Sequence, residues 1–200
     1  MQFSIYNLKN KFQDLLMPLC KKINLYGITP NQITVMTTIF SITFSIIFYK
    51  FSNKDSWLFI SIPIFFLIRM ALNALDGMIA NRFDKKTKLG IYFNEIGDLI
   101  SDTVFFFCFF SVLNLSNTLS LVFIFISILS EYVGVIGVQV DNKRHYEGPM
   151  GKSDRAFFIS ILSILIFYGI EMKYIKVFII FSILLLLSTV YNRIKNSLTN

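Results

Sequence analysis

The chain has 200 residues, 54% of them hydrophobic and 23 of them Phe, with a mean hydropathy of +0.62. A soluble domain of this size cannot bury that much apolar surface, so the composition excludes an ordinary soluble protein and points to an all-α membrane protein. The net charge of +7 is read first as membrane topology, with lipid head groups rather than nucleic acid as counter-ions.

The first element is a helix over residues 1–20. Ile5, Leu8, Phe12, Leu15, Leu16 and Leu19 share one face, with Lys9, Lys11 and Asp14 elsewhere, the pattern of an amphipathic helix lying in the membrane interface. "GITPN" (27–31) breaks it. Thr29 and Asn31 are candidate caps, and Pro30 suits the first turn of the next helix. Six apolar runs follow, near 32–50, 57–81, 91–113, 118–140, 154–171 and 174–192. Each is long enough, at about 1.5 Å per residue, to cross or nearly cross a ~30 Å hydrocarbon core. Of the nineteen Lys and Arg, fourteen fall on the side of the two termini. Lys50, Lys54, Lys173 and Lys176 fall on the other side, and Arg69 lies within the second run. The positive-inside rule then predicts six spans with both termini in the cytoplasm. Cys20 and Cys108 lie in separate settings, and neither a disulfide nor a metal–thiolate site is expected.

Polar groups interrupt these apolar segments. "NALDGMIANRF" (73–83) carries Asn73, Asp76, Asn81 and Arg82, and "GIYFNEIGDLISD" (90–102) carries Asn94, Glu95, Asp98 and Asp102. Arg69, Asn73 and Asp76 are spaced i, i+4, i+7 and share one helical side; Asn94, Asp98 and Asp102 are spaced by four and share another. Counted from the helix ends, Asp76 lies roughly 9 Å and Asn73 roughly 13 Å into the membrane. Asn94, Asp98 and Asp102 lie roughly 6, 12 and 18 Å in, so the two sets overlap in depth. Five ionised side chains there (Arg69, Asp76, Glu95, Asp98 and Asp102) would cost on the order of 12–17 kcal/mol uncompensated. One arginine does not balance four acids, and the all-oxygen set suits a hard divalent cation. A set of interhelical hydrogen bonds and an ion or solute pathway remain alternatives on spacing alone.

The stretch 73–102 resembles the signature of the CDP-alcohol phosphatidyltransferases, D-x2-D-G-x2-A-R followed by G-x3-D-x3-D. Asp76, Gly77, Ala80, Gly90 and Asp98 match it. Asn73 and Asn94 stand at two of its Asp positions and Asn81 at its Arg, with Arg82 one place later. "NALDGMIA", "LGIYFNEIGDLISD" and "GPMGKSDRAF" are similar to a bacterial inner-membrane branch with a divergent signature. The resemblance implies transfer of a phosphatidyl group from a CDP-linked lipid donor to an alcohol acceptor with release of CMP. It further implies Mg²⁺ or Mn²⁺ as cofactor, a multi-pass inner-membrane location and a possible homodimer.

Carried over residue by residue, the resemblance makes Asn73, Asp76, Asn94 and Asp98 the expected metal ligands and Asp98 the general base. Glu95 and Asp102 are in reserve. Gly77, Ala80, Asn81, Arg82 and Gly90 are the expected donor-binding residues. Lys152 and Arg155 resemble the family's basic positions for the acceptor or its phosphate. A phosphorylated acceptor follows if they bind phosphate, and serine or another alcohol otherwise. The three Asn departures also leave open a catalytically altered member. Nearby, Gly148 and Gly151 read as turn residues, Ser153 as an N-cap and His145 as a solvated loop residue. Glu131 is expected either to pair with Arg69 or to line an acceptor cavity.

Overall fold

The computed structural model describes residues 5–52 and 57–199. Residues 1–4, Lys54 and the side chains of Ile5, Leu8 and Lys9 lie outside the described set. Among the described residues all regular structure is helical: α1 (Ile5–Leu25), α2 (Pro30–Phe51), α3 (Leu58–Arg82), α4 (Lys88–Val112), α5 (Asn117–Asp141), α6 (Lys152–Phe167) and α7 (Met172–Thr199). Each predicted apolar run lies within or largely within one of α2–α7. Four of them, α2, α3, α5 and α7, are long and apolar enough to cross a membrane by length and composition, and α4 and α6 fall short of that measure. The physical reason differs for the other two. Helix α4 carries Glu95, Asp98 and Asp102 along its length, and α6 has only 16 residues.

The chain divides into two compact units. Residues 1–41 and 67–101 form the first, and residues 42–66 and 102–200 the second. In the first unit α1 ends at Leu25, five residues later than expected, because its last turn is packed and capped. Cys20, Ile33, Leu75, Met78 and Ile79 form a buried cluster, with Leu16, Met17, Ile23 and Ile28 against it. Gly27, at φ +75°, closes the helix: its N–H donates to the Asn24 carbonyl (3.1 Å) and that of Ile28 to the Ile23 carbonyl (3.4 Å). This is the Schellman pattern, which needs a residue in the left-handed region. Helix α2 then opens on a reciprocal cap. The Thr29 hydroxyl accepts from the Gln32 N–H (3.3 Å), and Gln32 Oε1 accepts from the Thr29 N–H (2.8 Å). Asn31, the other candidate cap, instead donates to Thr87 Oγ1 (3.1 Å) at the head of α4.

The second unit is filled with aromatic rings. Phe44 stacks on Phe65 (centroids 4.1 Å apart), Phe65 on Phe105 (5.3 Å), and Phe106 and Phe110 meet Phe123 edge-on (both 5.1 Å). Small residues line the buried side of α5, namely Ser127, Ser130, Gly134 and Gly137. Helix α5 packs along α7, as small residues permit between helices. The segment between α5 and α6 folds back on this pair. The His145 N–H donates to the Gly134 carbonyl (3.0 Å), and the Met150 N–H to Thr189 Oγ1 (2.9 Å). Helix α6 starts one residue before the expected Ser153 cap. Gly151 is the N-cap, and Asp154 Oδ2 accepts its N–H (2.9 Å).

Candidate functional site

Helices α3 and α4 build a polar cluster within the first unit. Asn73 Nδ2 donates to Asp98 Oδ1 (3.1 Å), and Arg69 Nη2 lies 3.5 Å from the same oxygen. Arg69 Nη2 also donates to the Asp98 carbonyl (3.3 Å). Asp98 is thus held by two residues of α3 while its side chain stays 28% exposed. Asp76 is buried and takes a hydrogen bond from Thr34 Oγ1 on α2 (2.8 Å). Asn94 and Glu95 are half-buried on α4.

Thr34 was not singled out from the sequence. The signal was there, in Thr34 and Thr38 one turn apart in an apolar run. Thr38 Oγ1 occupies the place a Cβ on Gly97 would need.

Of the four expected ligands two are carboxylates, Asp76 and Asp98. Among the described residues no three His, Cys, Asp or Glu side chains converge, so neutral carboxamide oxygens would have to complete the ligands. Asn73 gives its N–H to Asp98, and its carbonyl oxygen is the atom it can offer a cation.

The expected donor-binding residues have distinct surroundings. A Cβ on Gly77 would meet no atom within 4 Å, so no packing demands this glycine in mid-helix, where it costs about 1 kcal/mol relative to Ala. Gly90 is different. A Cβ there would run into Asn31 Oδ1 at 2.6 Å, and its N–H donates to Thr87 Oγ1 (2.9 Å). A side chain at Gly90 would therefore have to move Asn31 aside. Ala80 is half-buried, and Asn81 and Arg82 are exposed. Asn81 turns back on its own helix, donating to the Gly77 carbonyl (2.6 Å).

The second unit holds a buried cluster of arginines and acids. Arg155 is 1% exposed. Its Nη2 lies 3.0 Å from Asp102 Oδ2, and its Nη1 lies 3.0 Å from Glu131 Oε1. Glu131 also meets Arg193 (3.5 Å) and Arg144 (3.3 Å). Glu131 therefore gathers arginines from α6, α7 and the α5–α6 segment, while Arg69 meets Asp98. Arg193 is 2% exposed and donates to the Ser130 and Glu147 carbonyls. The sequence reading had counted it only as a topological charge. Lys152 is half-buried at the head of α6.

His145 is not solvated. It is 2% exposed, with Nε2 2.8 Å from Asp141 Oδ2 and Nδ1 3.1 Å from Glu147 Oε2. Gly137 makes the room, since a Cβ there would lie 2.4 Å from the His145 ring. The hydrogen bond to Asp141, and then that to Glu147, favour the imidazolium against burial and lift the His145 pKa above the ordinary imidazole value.

This arrangement of an α-helical bundle with paired acids on neighbouring helices coincides with a family match over residues 27–191, to the CDP-alcohol phosphatidyltransferases. The chain belongs to that family. It is 33% identical over 196 residues to the inner membrane protein YnbA of Escherichia coli (strain K12), a match covering 98% of this chain and 96% of that protein. Its fold is similar to that of Mycobacterium tuberculosis phosphatidylinositol phosphate synthase, PgsA1. The PgsA1 structure with CDP-DAG bound superposes with a TM-score of 0.74 at 15% identity, covering 91% of this chain and 92% of that one. The structure of the same enzyme with manganese and citrate gives 0.72 at 15% identity, covering 91% and 88%.

Proposed function

We propose that the protein transfers a phosphatidyl group from a CDP-linked lipid, CDP-diacylglycerol in the first instance, to the hydroxyl of an alcohol, releasing CMP. The observation that carries this reading is the joining of the family's retained acids. Asp76 and Asp98 lie on neighbouring helices and are linked through Asn73, which sits one turn from Asp76 and bonds Asp98. In the reaction the acceptor oxygen forms a bond to the β-phosphorus as the bond to the CMP oxygen breaks. Asp98 takes the hydroxyl proton, and Arg69 and Asn73 hold its carboxylate in place for that transfer. Asp76 and Asp98, with the carbonyls of Asn73 and Asn94, would hold Mg²⁺ or Mn²⁺, which when bound neutralises the diphosphate. Gly77 and Ala80 leave room for the nucleotide against α3, and Asn81 and Arg82 close that end. Lys152 and Arg155 belong to the acceptor. Glu95 and Asp102 stand in reserve as acids.

In this reading α4 and α6 also cross the bilayer. Asp98 and Asp102 of α4 are paired with Arg69 and Arg155, and α6, at roughly 24 Å, spans a locally thinned core. Helix α1 lies in the interface, with Leu15 and Leu19 exposed toward lipid. Both termini are cytoplasmic, and the membrane is the inner membrane, as for the Escherichia coli relative. The test is CMP release from CDP-diacylglycerol by purified protein and by Asp98→Asn, across a panel of acceptor alcohols. Loss of about 10²-fold or more in the variant is expected from removing a general base. A variant as active as the parent would remove Asp98 from the chemistry.

A further inference from the structure

The family likeness gives Arg155 to the acceptor, and the buried cluster around it bears on what that acceptor carries. A guanidinium that recognises a phosphate needs uncompensated positive charge and a free fork of N–H donors. Arg155 has neither. Its two terminal nitrogens are taken by Asp102 Oδ2 and Glu131 Oε1, each at 3.0 Å, and Ser130 Oγ accepts a further bond at 3.3 Å. The neighbouring arginines are matched as well. Arg193 and Arg144 both lean on Glu131, and beside them His145 lies between Asp141 and Glu147. Three arginines and one histidine face Asp102, Glu131, Asp141 and Glu147. Among these eight side chains the carboxylates equal or outnumber the cations whichever form the imidazole takes; Lys152, half-buried at the head of α6, stands outside this count. A phosphate dianion would have to displace Glu131 from its arginines and then lie beside it, like charge against like.

A hydroxyl meets the opposite conditions. The carboxylates of Asp102 and Glu131 are 13% and 19% exposed. A hydroxyl can donate to either of them, and it brings no charge.

We propose that the acceptor is an alcohol without a phosphate group, selected by the balanced cluster of Arg155, Arg193, Asp102 and Glu131. The proposal rests on the phosphatidyltransferase reading. Its test has two arms so that the two stand or fall separately.

In the first arm, binding of inorganic phosphate to the full-length protein is measured calorimetrically in EDTA, for the parent and for Glu131→Gln. The parent is expected to give no saturable binding, and Glu131→Gln, with Arg155 and Arg193 partly released, is expected to gain it. In the second arm, CMP release is compared for matched acceptors, glycerol against glycerol 3-phosphate and inositol against inositol phosphate. The unphosphorylated member is expected to be preferred by about tenfold or more, a difference of ~1.4 kcal/mol. Saturable phosphate binding by the parent that Arg155→Lys weakens overturns the proposal, as does faster release with the phosphorylated members; the latter leaves the transferase reading intact. No release with any acceptor, with phosphate still excluded by the parent and admitted by Glu131→Gln, supports the balanced cluster and overturns the transferase reading instead.

Discussion

At the scale of single residues, the two glycines of the family motif part company. Gly90 has the Asn31 side chain against it, while Gly77 faces open space. Two consequences follow for Gly77→Leu. The helix should be unharmed or firmer, since Gly is about 1 kcal/mol worse than Ala or Leu in a helix interior. Donor use should collapse, with the KM for CDP-diacylglycerol raised or turnover lost. A thermal melt beside a CMP-release assay checks both, and an unaltered KM would show that the nucleotide does not lie against this face. That Arg69, Asn73 and Asp76 share one helical side, and Asn94, Asp98 and Asp102 another, was legible in the sequence because such spacing is a local property, and the Asn73–Asp98 bond joins the two sides. Arg193 was not legible. Its role depends on Glu131 and on the Ser130 carbonyl, 63 residues away in the chain, and no local pattern distinguishes it from an ordinary cytoplasmic charge.

At the scale of elements, the helix ends were readable where the caps are local. Thr29 and Pro30 mark the start of α2 in sequence and in structure, Gln32 completes the cap in the structure, and Thr29→Ala should cost about 1 kcal/mol by thermal or denaturant melting. The segment between α5 and α6 was misread because its fold depends on two glycines of the preceding helix. Gly134 and Gly137 let the chain lie against α5, and His145 turns inward onto Asp141 and Glu147 rather than out to water. A Cβ on Gly137 would also meet the Lys143 carbonyl at 2.8 Å, so Gly137→Ala should destabilise the fold by roughly 1–3 kcal/mol as an overpacked site.

The same histidine gives a pH dependence of definite sign. Its folded pKa lies above the unfolded value of 6.5, so the folded form binds the proton more tightly. The stabilisation is complete below 6.5 and is lost as pH rises through the raised folded value. Melting temperatures of the parent and of His145→Gln should therefore differ most on the acid side of 6.5 and converge on the alkaline side. A difference that grows with pH would mean the imidazole is neutral in the fold.

At the scale of the whole molecule, the apolar runs and their order were legible because hydropathy over a span-length window is a summed property that tolerates single exceptions. The count of spans was less so. Helix α4 is apolar enough only where its acids are set aside, and α6 is shorter than a span needs. Those two elements carry Asp98 and Arg155, so the uncertainty in hydropathy falls where polar chemistry has displaced it. Single-cysteine labelling at each end of α4 and α6 in inverted and right-side-out vesicles should place the ends of each on opposite sides of the membrane. Ends of α6 reached from one side only would make it a re-entrant or surface helix.

The most direct measurement is made on purified protein reconstituted in liposomes with CDP-diacylglycerol and a mixture of alcohols. CMP and new phospholipid are quantified together, with Mg²⁺ or Mn²⁺ and then with EDTA. The account predicts CMP and a phosphodiester lipid in equal amounts, with metal present and not after chelation. Well-folded protein that yields neither product, or that carries ions across the bilayer without releasing CMP, would contradict it.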